Sequence, residues 1–235
     1  MSLFSWLHKK KPGLDAAQQQ RLAQLPKPGA LGDGSLRSQR WVVVDLETSG
    51  LNLNRDQVLS IGAVVIEDGA VDFSQLFERT LQRTDTKLSP SVLIHGLGPG
   101  AIAAGSDPAE ALLDFMTFVG DSPLLAFHAP FDQHMLGRAL KDSLDYRMAH
   151  SVLDVADLAP LLCPDVTLRE AGLDDWLNHF KLQAGERHHA SADALATAEL
   201  MLILFSRARQ QQIDTPQALL ERLAQWKRRQ QAPSF

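Results

Sequence analysis

Four carboxylates in this chain stand where the surrounding pattern buries hydrocarbon. Asp45 and Glu47 close the apolar run Trp41-Val42-Val43-Val44. Asp132 heads a helical stripe of Met135, Leu136, Ala139 and Leu140. Asp193 heads a second stripe of Thr197, Leu200 and Leu204, with His188 five residues before it. A carboxylate on an apolar face is costly unless it is paired or bound to metal. A fold for this chain must therefore satisfy four such groups carried on three separate elements, and a shared site for hard divalent cations does so.

The elements around them are readable. Residues 41–47 form a buried strand and 58–67 a second, followed by a turn at Glu67-Asp68-Gly69-Ala70 and a third strand over 71–81. Helices are expected near 89–95 and 108–119. A short strand at Pro123–Phe127 leads into the helix carrying Asp132. A strand-to-helix passage over 151–162 and helices near 167–180, 190–209 and 215–230 complete the pattern. Hairpin-linked strands followed by mixed strands and helices predict an α/β domain with a mixed sheet. Residues 1–40 read as an extension and linker, with Pro26, Pro28, Gly29, Gly32 and Gly34 as a loose connector after a short helix at 15–25. The domain proper is expected over 41–209, with a helical tail over 210–235.

Bulk properties remove several function classes. With 235 residues, 45% of them hydrophobic, the chain can bury a sizeable core without disulfide or structural metal. Its single cysteine, Cys163, cannot form an internal disulfide and reads as a buried small hydrophobe. No apolar stretch approaches the roughly 20 residues of a membrane span. The apolar run Leu3–Leu7 is short and precedes Lys9, Lys10 and Lys11, which is the wrong order for a signal peptide. A cytoplasmic location is expected. A net charge of −5 argues against coating nucleic acid by phosphate neutralisation alone.

Residues two apart on a strand face the same way, so Asp45 and Glu47 project together. If their strand packs against the helices of Asp132 and Asp193, the four carboxylates converge. Oxygen-only ligands suit Mg²⁺ or Mn²⁺, and no cysteine or histidine pattern suits zinc. Two such ions about 4 Å apart stabilise both the attacking and the leaving oxygen of a phosphodiester. A histidine with an unperturbed pKa of about 6.5 can take the proton of the attacking water near neutral pH.

Three segments carry a family resemblance. Val44-Asp45-Leu46-Glu47-Thr48-Ser49-Gly50-Leu51, continued by Asp56-Gln57-Val58-Leu59-Ser60-Ile61-Gly62-Ala63-Val64, closely resembles the first motif of DnaQ-like 3′–5′ exonucleases. Ala129-Pro130-Phe131-Asp132 resembles the second. His188-His189-Ala190-Ser191-Ala192-Asp193-Ala194 resembles the third, in the histidine-containing DEDDh branch. The motifs occur in the family's order, and the resemblance runs from about Trp41 to Arg207. It implies an RNase H-like fold with a mixed five-stranded sheet flanked by helices. It also implies two-metal hydrolysis of DNA from the 3′ end to nucleoside 5′-monophosphates.

By this resemblance Asp45, Glu47, Asp132 and Asp193 hold two Mg²⁺ or Mn²⁺ ions and His188 is the general base. His189 falls on a variable position. Thr48 and Leu51 match positions that contact the terminal nucleotide, and Phe131 and His128 lie in the second motif beside Asp132. Ile94-His95-Gly96-Leu97 resembles the family's His-Gly segment near the substrate more loosely, leaving His95 between a structural and a substrate-adjacent role. Relatives often carry His-Asn-Ala-x-Phe-Asp in the second motif. Here Phe127 replaces the histidine and His128 the asparagine, which leaves His128 between packing and substrate contact. Asp154 matches a position often acidic in relatives and reads as a structural support.

The first motif is more similar to proofreading subunits of bacterial replicative polymerases than to oligoribonucleases. Single-stranded DNA 3′ ends are therefore the expected substrate, in proofreading or repair, with any coupling to synthesis through a polymerase or repair partner. RNA 3′-end trimming and a non-catalytic nucleic-acid-binding module are the alternatives. The basic runs Lys9–Lys11 and Lys227-Arg228-Arg229 read as solvated termini or as supplementary DNA contacts, and Leu3, Phe4 and Leu7 as a solvated terminus or one face of a docking helix.

Overall fold

The computed structural model describes residues 13–32, 34–84, 97–168, 171–183 and 189–230. At its centre is β1 (Trp41–Thr48). It pairs antiparallel with β2 (Val58–Glu67), which pairs antiparallel with β3 (Ala70–Thr80). On the other side β1 pairs in parallel with β4 (Leu124–Ala126), and β4 with β5 (Val152–Asp154). The order is β3-β2-β1-β4-β5, the expected mixed five-stranded sheet.

β1 and β2 are buried almost end to end, because helices cover both faces and near-continuous Val, Ile and Leu suit a strand with no wet side. One face packs Val42, Val44 and Leu46 against α3 (Pro108–Val119) and α4 (Ala129–Leu144). The other packs Trp41, Val43, Val64 and Ile66 against α5 (Val155–Leu162), α6 (Leu173–Phe180) and α7 (Ala190–Gln210). Cys163 is fully buried in this second layer, and its burial pushes the thiol pKa up. No described helix is long and apolar enough to cross a membrane.

The flanking segments are docked on these layers. α1 (Ala16–Ala23) carries a reciprocal cap between Asp15 and Gln18. Its Arg21 reaches Glu110 and Asp114 of α3 at 2.6 Å each. α8 (Pro216–Gln230) buries Leu219 and Leu223, and its Lys227 pairs with Asp157 of α5 at 2.5 Å.

One helical expectation is corrected, and one short helix is new. The segment near 167–180 is helical only from Leu173. Gly172 is the N-cap, with its backbone N–H donating to Asp175, so the helix starts where a carboxylate meets its first free donor. A short α2 (Pro99–Ala103) was not anticipated, since Pro-Gly-Ala-Ile-Ala carries little periodicity. The helix expected near 89–95 lies outside the described residues, as do Leu3, Phe4, Leu7 and Lys9–Lys11.

Candidate active site

Asp45 and Glu47 leave β1 on the face covered by α7, as their spacing of two predicts. Between Glu47 and Thr48 the partner in β2 jumps from Ser60 to Val58, so Leu59 is an extra residue. Such a bulge bends the strand and re-aims its side chains next to a site. Asp193 arrives from the first turn of α7, opposite. Carboxylate oxygens of Asp45, Glu47 and Asp193 all lie within 4.8 Å of one another.

Gly62 makes that approach possible. It is the β2 partner of Asp45, and a Cβ at Gly62 would lie 2.1 Å from the backbone of Ala190 and Ser191. The first residues of α7 thus rest directly on β2 backbone. Ser191 Oγ donates to Glu78 of β3 and fastens the same end of the helix.

Asp132 comes from the other side of the sheet. It sits in the first turn of α4 and is only 6% exposed. β1 runs beyond the last β4 residue paired with it, Leu125, and the carboxylate of Asp132 accepts the Leu46 N–H. Burial, reinforced by the charges of Asp154 and Glu47, pushes the Asp132 carboxyl up to about 8. It faces Glu47 but is not one of the three that share the 4.8 Å cluster.

The entry to α4 is held by Asp154. Its Oδ1 accepts the N–H groups of His128 and Ala156 at 3.0 Å each, so one carboxylate caps α5 and grips the start of α4. Asp154 therefore makes structural contacts, while its charge also acts on Asp132. His128 is in the left-handed region at φ 62°, ψ 43°. Asn and His are among the few non-glycine residues that adopt this conformation readily, which gives a backbone reason for asparagine in relatives and for its replacement by His128. The imidazole of His128 is exposed and stands edge-on to Phe127, and Phe131 is half-buried against the α3–α4 layer.

A rigid loop follows Glu47. Ser49 N–H donates to Gln57 O at 2.9 Å, and Gln57 N–H to Ser49 Oγ at 3.0 Å. Asp56 accepts from Ser49 Oγ and Asn52 N–H, while Thr48 Oγ1 donates to Gly50 O. The loop presents Leu51 at 84% exposure. Thr48 itself is buried. His188 and His95 lie outside the described residues; His189 is the N-cap residue of α7, and its carbonyl accepts the Asp193 N–H. What the sequence did not flag is a cluster of Arg55, Arg83 and Arg138 beside this loop. A basic residue six positions beyond Asp132 on the same helix was the available signal.

An acidic cluster lies at the C-terminal end of the central strand of a sheet of order 3-2-1-4-5, and its donor set fits a hard cation: carboxylate oxygens only, gathered from two elements, beside a fourth carboxyl whose burial disfavours its charge. The chain belongs to the exonuclease family whose model, RNase T, matches residues 42–201. The DnaQ-like resemblance read from the three motifs is thereby borne out. Among curated relatives, the DNA polymerase III PolC-type of Clostridium perfringens is 30% identical over 172 residues, covering 73% of this chain and 12% of that protein. The PolC-type polymerase of Oceanobacillus iheyensis is 29% identical over 182 residues, covering 77% and 12%. The chain thus spans about an eighth of the length of these relatives. Among solved structures, E. coli exonuclease I in complex with a dT13 oligonucleotide matches with a TM-score of 0.62 at 19% identity, covering 74% of this chain and 42% of that one. The zinc-bound form of its complex with single-stranded DNA matches with a TM-score of 0.62 at 20% identity, covering 75% and 42%. These likenesses show the fold.

Proposed function

We propose that this chain is a metal-dependent 3′–5′ exonuclease that removes nucleoside 5′-monophosphates from the 3′ end of single-stranded DNA. The observation that carries the proposal is the convergence of Asp45, Glu47 and Asp193 within 4.8 Å, with Asp132 of α4 near enough for the charge of Glu47 to act on it. In this reading Asp45, Glu47, Asp132 and Asp193 hold two Mg²⁺ or Mn²⁺ ions. Those ions, when bound, supply charge stabilisation to the attacking and leaving oxygens of the phosphodiester.

The remaining roles belong to the chain. His188 takes the proton of the attacking water. Leu51 offers an apolar face to the terminal nucleoside from a hydrogen-bonded loop, to which Thr48 contributes the bond from its hydroxyl to Gly50 O. His95, His128 and Phe131 contact the strand near its end. DNA is favoured because the relatives are DNA polymerases by name and the structural neighbours hold DNA oligonucleotides. The relatives carry the matched segment within far longer polymerase chains, which favours coupling to a polymerase or repair partner. We place the catalytic domain at 41–209, with 1–40 and 210–235 as additions. RNA is the competing substrate, because the matching family model bears the name RNase T.

The test is an end-labelled assay on matched single-stranded DNA and RNA with Mg²⁺, Mn²⁺ or chelator. We expect metal-dependent 3′-end shortening, faster on DNA, and a loss of at least about a hundredfold in Asp45→Ala. Faster RNA trimming overturns the substrate, and undiminished activity in Asp45→Ala overturns the site.

A further inference from the structure

We propose that a pocket between the loop after β1 and the side of α4 that carries Asp132 binds an internal phosphodiester of the substrate strand, upstream of the nucleotide being removed. This rests on the exonuclease reading. The pocket has a volume of about 280 Å³ and is lined by Arg55 from the loop, Arg83 from just beyond β3, and Arg138 from α4. Among the described residues, Asp142 is the one carboxylate in its lining. Among those same residues, three guanidinium groups face one carboxylate, a local excess of positive charge in a chain whose net charge is −5.

Two of the arginines are held in place by backbone. Arg83 Nε donates to Val58 O at 3.0 Å, and Arg138 Nη1 donates to Leu53 O. A guanidinium has five N–H donors, so each fork is oriented by one bond and keeps others for a ligand. Burial lowers the Arg83 pKa and the charge of Arg138 lowers it further, against the opposing charge of Asp142. Neighbouring like charges are relieved by an anion, and a phosphate with two free oxygens matches the planar fork.

Its position selects the ligand. Asp132, Met135, Ala139 and Asp142 follow one another at helical spacing along one side of α4, and the last three line the pocket. Arg138 lies roughly 9 Å along the helix axis from Asp132, at 1.5 Å per residue. The opposite wall, Asn54 to Val58, continues the loop that presents Leu51. Both walls therefore extend elements of the candidate active site, and a strand whose 3′ end lies at the carboxylates has its preceding phosphates to place. A free phosphate or a released mononucleotide shares the chemistry but would not need continuity with the active site.

The experiment uses the full chain with Arg83→Gln/Arg138→Gln, and separately Arg55→Glu, which alters an exposed side chain. Two substrates are compared: a single-stranded oligonucleotide and the p-nitrophenyl ester of thymidine 5′-monophosphate, which has no upstream phosphate. KM for the oligonucleotide should rise about tenfold in either variant with kcat held within about twofold, and ester hydrolysis should change by less than about twofold. The salt slope of oligonucleotide affinity should fall by about one contact's worth. Parallel losses on both substrates would show that the arginines only brace the fold, and an unchanged oligonucleotide KM would show that the strand does not reach the pocket. Competition by inorganic phosphate as effective as by the oligonucleotide, and lost in the arginine variants, would reassign the pocket to a free anion. Failure of the wild-type protein to cut either substrate in Mg²⁺ or Mn²⁺ would overturn the exonuclease reading itself. Anisotropy of a labelled oligonucleotide in Ca²⁺ still reads the pocket in that event: weaker binding by the variants supports it, and unchanged binding overturns it.

Discussion

His188 and His189 are adjacent in sequence, and of the two only His189 lies among the described residues. His189 is the N-cap residue of α7, and its carbonyl is spent on the Asp193 N–H. Its contribution is to the backbone that delivers Asp193, whereas the proposed base is His188. His188→Ala should lower kcat by about a hundredfold or more while Mn²⁺ affinity, measured by calorimetry, stays within a few-fold. His189→Ala should change kcat by less than about fivefold. In wild type kcat/KM should fall below a pH of about 6.5 as the free imidazole protonates. A reversed ranking of the two variants, or a rate flat well into acid, would rule out His188. The residues of the acidic cluster were legible at this scale because carboxylates on apolar stripes are conspicuous. Arg55, Arg83 and Arg138 were not, since each reads alone as a solvated side chain and only the fold brings them together.

Among elements, α4 receives a contact from elsewhere at its entry. Its entry residue holds a left-handed backbone, and the N–H at that position is taken by Asp154 at the end of β5. Asp154→Ala removes the cap of α5 and the anchor of α4 together. The expected cost is about 1–3 kcal/mol, at the upper end of single-cap substitutions. Metal affinity should also weaken several-fold, because Asp132 rides on the first turn of α4. Thermal melts and Mn²⁺ titration check both effects, and an unchanged affinity would mean that α4 is located by its apolar face alone. The three antiparallel strands were legible because their apolar runs are long and the Asp68-Gly69 turn is explicit. The end of the helix at Gly172 was not, because Val166 and Leu168 extend an apolar rhythm that backbone capping, rather than hydropathy, interrupts.

For the whole molecule, the candidate site is a source of instability that metal should reverse. Burial lifts the Asp132 carboxyl to about 8 from an ordinary 3.8, so the folded state retains a proton that the unfolded chain has lost. Stability contributed by this group is therefore lost as pH rises from about 4 through 8. Without metal, the wild-type Tm should fall across pH 5–8 relative to Asp132→Asn, by several degrees or more. Mg²⁺ or Mn²⁺ at pH 8 should restore the wild type far more than the variant, and parallel Tm curves for the two proteins would contradict the burial argument. Topology decided what local pattern could not: periodicity placed each carboxylate on its element, but their meeting required the β3-β2-β1-β4-β5 order, which the ordered motifs implied and the spacing alone did not. The contact at Gly62 has a mechanical consequence. Main chain seated on main chain has no rotamers to exchange, so α7 meets β2 as a hard stop, and substitutions that repack the core around them have little leverage on the distance between Asp45 and Asp193.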